Sequence, residues 1–526
     1  MIVRLHSIFV RYDREQTSAL RKAVQKRLGH RFDDVEHYEV TRRSIDARHR
    51  PVRFVYSVDL RLKQGAAPDL ATTIQPPPPI PMRVSEGSHP LDDPPVVVGG
   101  GPAGLFAALL LADHGYRPRL FDRGGTVAER TAALKAFSET RKANPENNAL
   151  FGLGGAGTFS DGKLRTGVNH PWLPEMMRIL AECGAPREIC IDAKPHVGTD
   201  ILTTVVANLV KRIEANGGAV DTGVRMERIQ SRNGCLTGIE TTIGPVPCRA
   251  VVLAIGHSAR DTWRSLDASG ILLEPKPFQL GIRVEHPQAW IDQKRYGDAA
   301  GDPRLGAADY KLATRVDDTP VFTFCMCPGG ETMPTVNEPE RLAINGMSLS
   351  RRASRFSSSG LVVTLSPERY GGRDLASALA FQRRIEAQCF DAGGRDYTAP
   401  AQRLADFAAG RASATLPPTS YSFGIVPARL DGLLPTFVAA PLQKALVGFD
   451  QTLTGYLSPD ALALAPESRA SSPIRIVRDR DTLETPTVKG LYPVGEGAGY
   501  AGGITSAALD GLNAAAKIIE TFAPPK

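Results

Sequence analysis

The chain has 526 residues, 42% of them hydrophobic, and a net charge of +7. That length and composition suit two or three domains around a large core and exclude a disordered chain or a small disulfide-stapled one. The charge is uneven: residues 1–63 hold 15 Lys and Arg against 8 Asp and Glu, while the remainder balances at 48 against 48.

The seven cysteines (183, 190, 235, 248, 325, 327 and 389) are odd in number, scattered and without zinc-type spacing, so no metal is expected. Reduced thiols in a cytoplasmic protein are the economical reading. The first residues, MIVRLHSIFVRYD, lack the apolar run and cleavage site of a signal peptide. The run from Val96 to Ala112 is apolar enough to mimic a membrane span, but its three glycines and Pro102 sit where a nucleotide turn needs them, so no membrane partner is expected.

Residues 1–64 predict a small βαββ unit of ferredoxin-like type, with strands at 2–10, 35–40 and 52–62 and a helix near 15–28. Its basic hairpin, with Arg42, Arg43, Arg48, His49 and Arg50, suits either a nucleic-acid phosphate or a solvated or interdomain face. The second is the simpler reading, since the hairpin has no aromatic stacking platform. Residues 65–94 are Pro-rich and read as an extended, unpacked linker.

At Val96 the pattern changes. An apolar strand, 96–98, opens into Gly99, Gly101 and Gly104, with Pro102 and Ala103 between them, and then a helix. Gly99 permits a tight turn, Gly101 lets backbone N–H groups approach a pyrophosphate, and Gly104 lets helix and strand pack closely. The helix N-terminus faces the phosphates with its positive end. A second strand, 118–121, ends at Asp122, beside Arg123, where a carboxylate can accept ribose hydroxyls. Strand, turn, helix, strand and acid together make a full dinucleotide-binding fingerprint.

A helix over 126–142 leads to the loop 147–166, where Gly154, Gly155, Ala156 and Gly157 precede Ser160 and Lys163. Such a run forms neither regular helix nor strand, and its backbone can lie against a flat ring. Residues 199–216 predict a helix capped by Thr199, and the strands that follow end in an apolar run opening into Gly256 and His257. Residues 266–480 break the βαβ rhythm and read as an inserted substrate domain. Within it Cys325 and Cys327 fall on one face of a strand and read as buried, apolar thiols. Nucleotide-binding character returns at 490–519, where an apolar strand leads to Gly495 and Glu496, then to Gly502, Gly503 and a helix from about Ile504. Glu496 is placed to accept hydroxyls of a ribityl chain, and the helix aims its positive end at a ring that becomes anionic on reduction.

The two glycine turns are far apart in sequence, which favours FAD, gripped at both ends, over NAD. The strings RRSIDAR (42–48), GPAGLFAALLLA (101–112), FGLGGAGTFSDGKL (151–164), AIGHSARDT (254–262), KPF (276–278), RVEHPQ (283–288), FCMCPGG (324–330) and LYPVGEGAGYAGGITSAALDG (491–511) resemble the GR2-like flavoproteins, and within them the bacterial FAD-dependent dehydrogenases. The resemblance spans essentially the whole chain. It implies non-covalent FAD, with Gly99, Gly101, Gly104 and Asp122 at the ADP half. The loop Gly154–Gly157 with Lys163 would border the flavin, and Glu496 with Gly502–Ile504 would hold the ribityl chain and pyrimidine edge. Leu153 departs from the pattern, since family members often carry Glu there.

The expected fold is therefore α/β: a Rossmann-like FAD-binding domain in two parts (95–265 and 481–526), an inserted α+β substrate domain (266–480) and the small N-terminal domain. The expected activity is hydride exchange between flavin and a small organic substrate. Candidate catalytic groups are His257, His286 and Lys311, and candidate substrate anchors are Arg260, Arg283 and Tyr310. NAD(P)H would act only as a transient donor, since there is no second fingerprint. The alternative is an RNA-binding or RNA-modifying flavoprotein that docks nucleic acid on residues 1–64.

Overall fold

The computed structural model describes residues 1–64, 73–74 and 80–525. Of the expected linker, residues 65–72 and 75–79 lie outside the described residues.

The N-terminal unit runs strand Ile2–Arg11, helix Gln16–Leu28, strand Val35–Asp46 and strand Arg53–Leu62. The last of these is central, with the first and second strands antiparallel on its two sides. The helix begins where the Glu15 carboxylate accepts the Thr17 and Ser18 N–H groups. The basic residues Arg42 and Arg43, read as part of a turn, lie in the second strand. Arg43 docks this unit on the rest of the chain: its guanidinium holds Asp192 at 2.7 and 3.0 Å, and its backbone N–H reaches the Ile191 carbonyl at 2.7 Å. Arg50 donates to the Arg295 carbonyl, and Arg48 is held by Asp46. Two of the hairpin's arginines thus form an interdomain face.

The end of the expected linker is packed rather than free. Gly87 N–H donates to the Ile519 carbonyl at 2.8 Å, and Leu91 is buried.

Five short parallel strands form the nucleotide-binding sheet, in the order Leu491–Pro493, Val251–Leu253, Val96–Val98, Arg119–Asp122, Ala219–Thr222. The two central strands are fully apolar and buried, as a sheet covered on both faces requires. Because the strands are parallel, the turns after residues 98, 122, 253 and 493 open at one edge, where ligands bind in sheets of this kind. Helix Pro102–Asp113, buried along nearly its whole length, packs against helix Ile504–Thr521. The approach is so close that a Cβ on Gly511 would fall 2.0 Å from the Ala103 carbonyl oxygen. No helix among the described residues is long and apolar enough to cross a membrane.

The helix expected to be capped by Thr199 runs Thr199–Ala215 with Gly198 at its cap position. Thr199 instead donates its hydroxyl to the Ser160 carbonyl and ties the helix to the glycine-rich loop.

The chain leaves this unit through Leu273–Pro275 and returns through Ile474–Ile476, which pair antiparallel. Between them stands a seven-stranded sheet built on Phe278–Pro287 and Phe356–Leu365, ten residues each and almost wholly buried. Strand Thr319–Cys327 pairs with Phe356–Leu365 and slips register between Phe324 and Cys327. Phe324 and Cys325, at that slip, line the same cavity as the glycine turns.

Candidate flavin site

A cavity of about 360 Å³ opens at the carboxyl edge of the parallel sheet. The first glycine turn forms its floor through Gly99, Gly101, Pro102 and Ala103. Gly99 has a φ of +102°, and a Cβ on Gly104 would lie 1.8 Å from the Gly99 carbonyl oxygen, so only glycine allows the helix to start this close to the strand. Pro102 is the first helical residue, where its missing N–H costs nothing. Gly104 itself does not line the cavity.

Asp122 and Arg123 stand at one end. The Asp122 carboxylate accepts the Gly100 N–H at 2.6 Å and the Gly124 N–H at 2.8 Å. Its first task is therefore to hold the two turns together, and a ribose hydroxyl can take only the lone pairs that remain. Burial raises its pKa despite those bonds. Arg123 is fixed by Glu146 at 2.7 Å and Asp261 at 2.8 Å and lies over the Phe151 ring. Val224, Arg225 and Met226 complete this end.

The loop expected to lie against a flat ring forms one side, through Gly155, Ala156, Gly157, Ser160 and Lys163. Residues 155–158 close one helical turn. Gly154 sits behind it and donates its N–H to the Gly100 carbonyl at 2.7 Å. The whole loop is pinned by Arg130, a residue the sequence did not single out. It is fully buried, and its guanidinium donates to the carbonyls of Asn148 (3.1 Å), Ala149 (2.9 Å), Gly152 (3.4 Å), Leu153 (2.6 Å) and Gly155 (2.9 Å). Burial without a carboxylate in direct contact lowers its pKa to about 10. Only an arginine can reach several diverging carbonyls at once, but nothing in the local pattern AERTAAL marks it as buried.

The second glycine turn supplies the facing side, with Gly495, Glu496, Gly502, Gly503 and Ile504. Asp510 holds this turn: its Oδ2 accepts the Gly495 N–H at 2.7 Å, and Arg478 bridges Asp510 and the Pro493 carbonyl. Glu496 is half-buried, and its carboxyl has no hydrogen-bond partner among the described residues. Desolvation, with only Lys276 in opposition, pushes it up to about 8. A carboxyl left unpaired beside an open cradle fits a ligand rich in hydroxyls. Nothing would meet a Cβ within 4 Å at Gly502 or Gly503, so the cradle there is open space.

Gly256 and His257 form the back wall with Arg469. Burial and the Arg469 charge push His257 down to about 4, so it is neutral at physiological pH. Arg469, missed in the sequence, holds Glu386 at 3.0 Å and also bonds Asn337. Burial alone would raise Glu386, but Arg260 and Arg469 hold it at about 2.

The remaining expected residues do not reach the cavity. Arg260 is buried against Glu386, Glu338 and Gln382 and acts as a structural cation. His286 is fully buried, stacked on Trp290 with ring centroids 4.9 Å apart, and bonds the Tyr456 carbonyl at 2.8 Å. Tyr310 packs edge-on to Tyr456 in the same core, and Lys311 is solvent-exposed. Arg283 lies one layer behind the wall, donating to Cys325 O at 2.9 Å and paired with Glu467 at 3.0 Å. Desolvation pushes Glu467 up to about 7 in spite of that pair.

In place of those residues the seven-stranded sheet contributes Phe324 and Cys325, and a separate two-stranded sheet, Glu331–Pro334 with Ile344–Met347, contributes Asn345. The expectation of two equivalent apolar cysteines fails at the bulge: Cys327 is fully buried, whereas Cys325 is partly exposed in the cavity wall.

Three family models match the chain: an FAD-dependent protein, C-terminal domain-like, over residues 277–470; an NAD(P)-binding Rossmann-like domain over 97–138; and a domain of unknown function over 3–61. An uncharacterized protein of Clostridium beijerinckii is 38% identical over the full length of both chains. The chain belongs to the FAD-dependent oxidoreductase family. Among solved structures, two align at low identity: glycine oxidase from Geobacillus kaustophilus (12% identity, 84% of this chain and 97% of that one, TM-score 0.36) and glycine oxidase from Bacillus cereus (11%, 81% and 97%, TM-score 0.34). CtdE in complex with FAD aligns at 10% identity over 81% of this chain and 83% of that one, with a TM-score of 0.33. FAD is the cofactor of this family member, and the open cradle, the unpaired Glu496 carboxyl and the helix termini facing the cavity fit it.

Proposed function

We propose that the protein moves a hydride between FAD and a small organic substrate carrying an acidic group, with NAD(P)H serving as a transient reductant when the substrate is to be reduced. Bound FAD supplies a two-electron acceptor at a fixed position. The observation that carries the reading is the cavity shared by both glycine turns and by Cys325 and Asn345 of the inserted segment.

In this reading Gly99, Gly101, Pro102 and Ala103 receive the pyrophosphate at the helix N-terminus, with Asp122 and Arg123 at the ribose. Residues 155–157 and 502–504 clasp the ring from two sides. Glu496, protonated to about pH 8 before ligand binds, donates a hydrogen bond to a ribityl oxygen, as a neutral carboxyl can. Lys163, held by Asp161 at 2.8 Å, keeps a positive charge where negative charge gathers on reduction. Neutral His257 hydrogen-bonds and shapes the back wall; at neutral pH it carries no proton to spare. Arg165, exposed in the cavity lining, is the cation available to an acidic substrate, since Arg469 is taken up by Glu386 and Asn337.

The test is anaerobic. Protein reconstituted with FAD is titrated with NADH and NADPH, then with a panel of small acids, and flavin absorbance is followed. Bleaching by a dinucleotide and recovery with one member of the panel is expected. A flavin that dithionite reduces but neither dinucleotide nor panel affects would overturn the reading.

A further inference from the structure

Cys325 stands in the cavity wall at the point where strand Thr319–Cys327 slips register, and its φ of +43° lies in the left-handed region that a non-glycine residue rarely adopts. The neighbouring Cys327 is fully buried behind it, its thiol donating to the Cys325 carbonyl at 3.1 Å and accepting from Arg283 Nη2 at 3.3 Å. Lys163, also in the wall, reaches Asp161 and the Met326 carbonyl, which places its ammonium at the backbone between the two cysteines. One thiol is thus open to the cavity, a second lies two residues behind it, and two cations flank both.

On the reading that this cavity holds FAD, we propose that Cys325 and Cys327 form a redox-active dithiol that exchanges an electron pair with the flavin. In the forward step the Cys325 thiolate and Cys327 thiol join in an S–S bond. Two electrons and the Cys327 proton pass to oxidised FAD, which ends as the anionic reduced form, so charge and atoms balance. The reverse step breaks the S–S bond and restores the dithiol. Three features favour a labile couple over a structural bridge. The bulge curls the chain between the two residues, where a regular strand would hold their sulfurs apart. A bridge at so short a spacing is strained, which makes it oxidising and easily reduced. The charges around it also favour the thiolate.

The neighbouring Cys327 thiol and then, against burial, the Lys163 and Arg283 charges hold Cys325 below the ordinary thiol range. Burial raises Cys327, which keeps its proton. The acids that face the pair are Asp161, Glu467 and Glu496; the first is neutralised by Lys163 and Arg352, and the other two are pushed up by burial.

The experiment uses the full chain reconstituted with FAD. The protein is oxidised with diamide, a thiol oxidant, alkylated with iodoacetamide after denaturation, digested and weighed. Wild type is expected to yield a 319–327 segment lighter by two hydrogens and unalkylated, and to take up four electrons per flavin in an anaerobic dithionite titration. C325S and C327S are expected to keep the flavin and take up two. The pH profile of Cys325 alkylation in the native reduced protein should be half-maximal well below that of an ordinary thiol, near 8.5. Two alkylated cysteines after diamide, or a bridge together with a two-electron titration, overturns the proposal. Loss of the flavin reading itself would look different, as protein that retains no FAD while the mass result stands.

Discussion

Replacing Arg130 with methionine should unpin the glycine loop without changing the volume of the helix that carries it. Five carbonyls between Asn148 and Gly155 accept from this one guanidinium at 2.6 to 3.4 Å, in buried or half-buried surroundings. Each lost bond leaves a buried acceptor at a net cost of about 1 kcal/mol, and relief from burying an unpaired cation offsets only part of it, so R130M should lose about 3 kcal/mol. If FAD must reorder the loop when it binds, that cost comes off its binding free energy, and the dissociation constant rises by about a hundredfold. Urea unfolding of the apoprotein and a flavin-fluorescence titration read the two effects separately. R130K, with three donors and no fork, should fall between. An unchanged urea midpoint together with a flavin affinity within twofold of wild type would refute the assignment of Arg130 as the loop's anchor.

G104A should abolish flavin retention in a folded protein, because its Cβ meets a backbone oxygen at 1.8 Å and the strand-to-helix turn must open; the purified variant is expected to be colourless. D510A removes the acceptor of the Gly495 N–H and leaves the largely buried Arg478 unpaired, so flavin should dissociate at least about tenfold faster, for a loss of about 1.5–3 kcal/mol. Glu496 has a folded-state pKa of about 8 against an ordinary 4.5. The folded apoprotein therefore binds more protons than the unfolded chain between those values, and its stability falls as pH rises through that window. E496Q should flatten the fall, read as urea midpoints at about pH 5 and pH 8; an identical slope in both proteins would show that Glu496 is not the titrating group.

The parts of the site that were legible in the sequence are those where backbone conformation is written locally. Gly99, Gly101 and Gly104 between a strand and a helix, and Gly495 to Gly503 before another, declare their turns because few other residues can make them. What stayed hidden was which way long side chains point once the inserted sheet is folded. Arg283 and His286 lie on one ten-residue strand buried on both faces, and alternation cannot separate core from cavity there. Arg260 was read as an anchor because it is charged, yet Glu386, far along the chain, is what it answers. Cys325 escaped because a period of two assigns it the environment of Cys327, and a bulge is what parts them. Arg130 and Asp510 bind backbone, not ligand, and a residue that serves only to hold a loop carries no motif of its own.

The order of strands in the parallel sheet also bears on how the protein is made. Strand Leu491–Pro493 pairs with Val251–Leu253, and helix Ile504–Thr521 covers helix Pro102–Asp113. A nascent chain has therefore already translated its adenosine-end turn and its whole inserted sheet before the segment that shields them emerges from the ribosome. Until then an apolar helix and one side of a buried strand face water, which is the state most open to aggregation and to chaperones. Cofactor loading in this way waits for the helix 504–521, and a chain broken off within the inserted sheet would lack one side of the cradle and expose apolar surface.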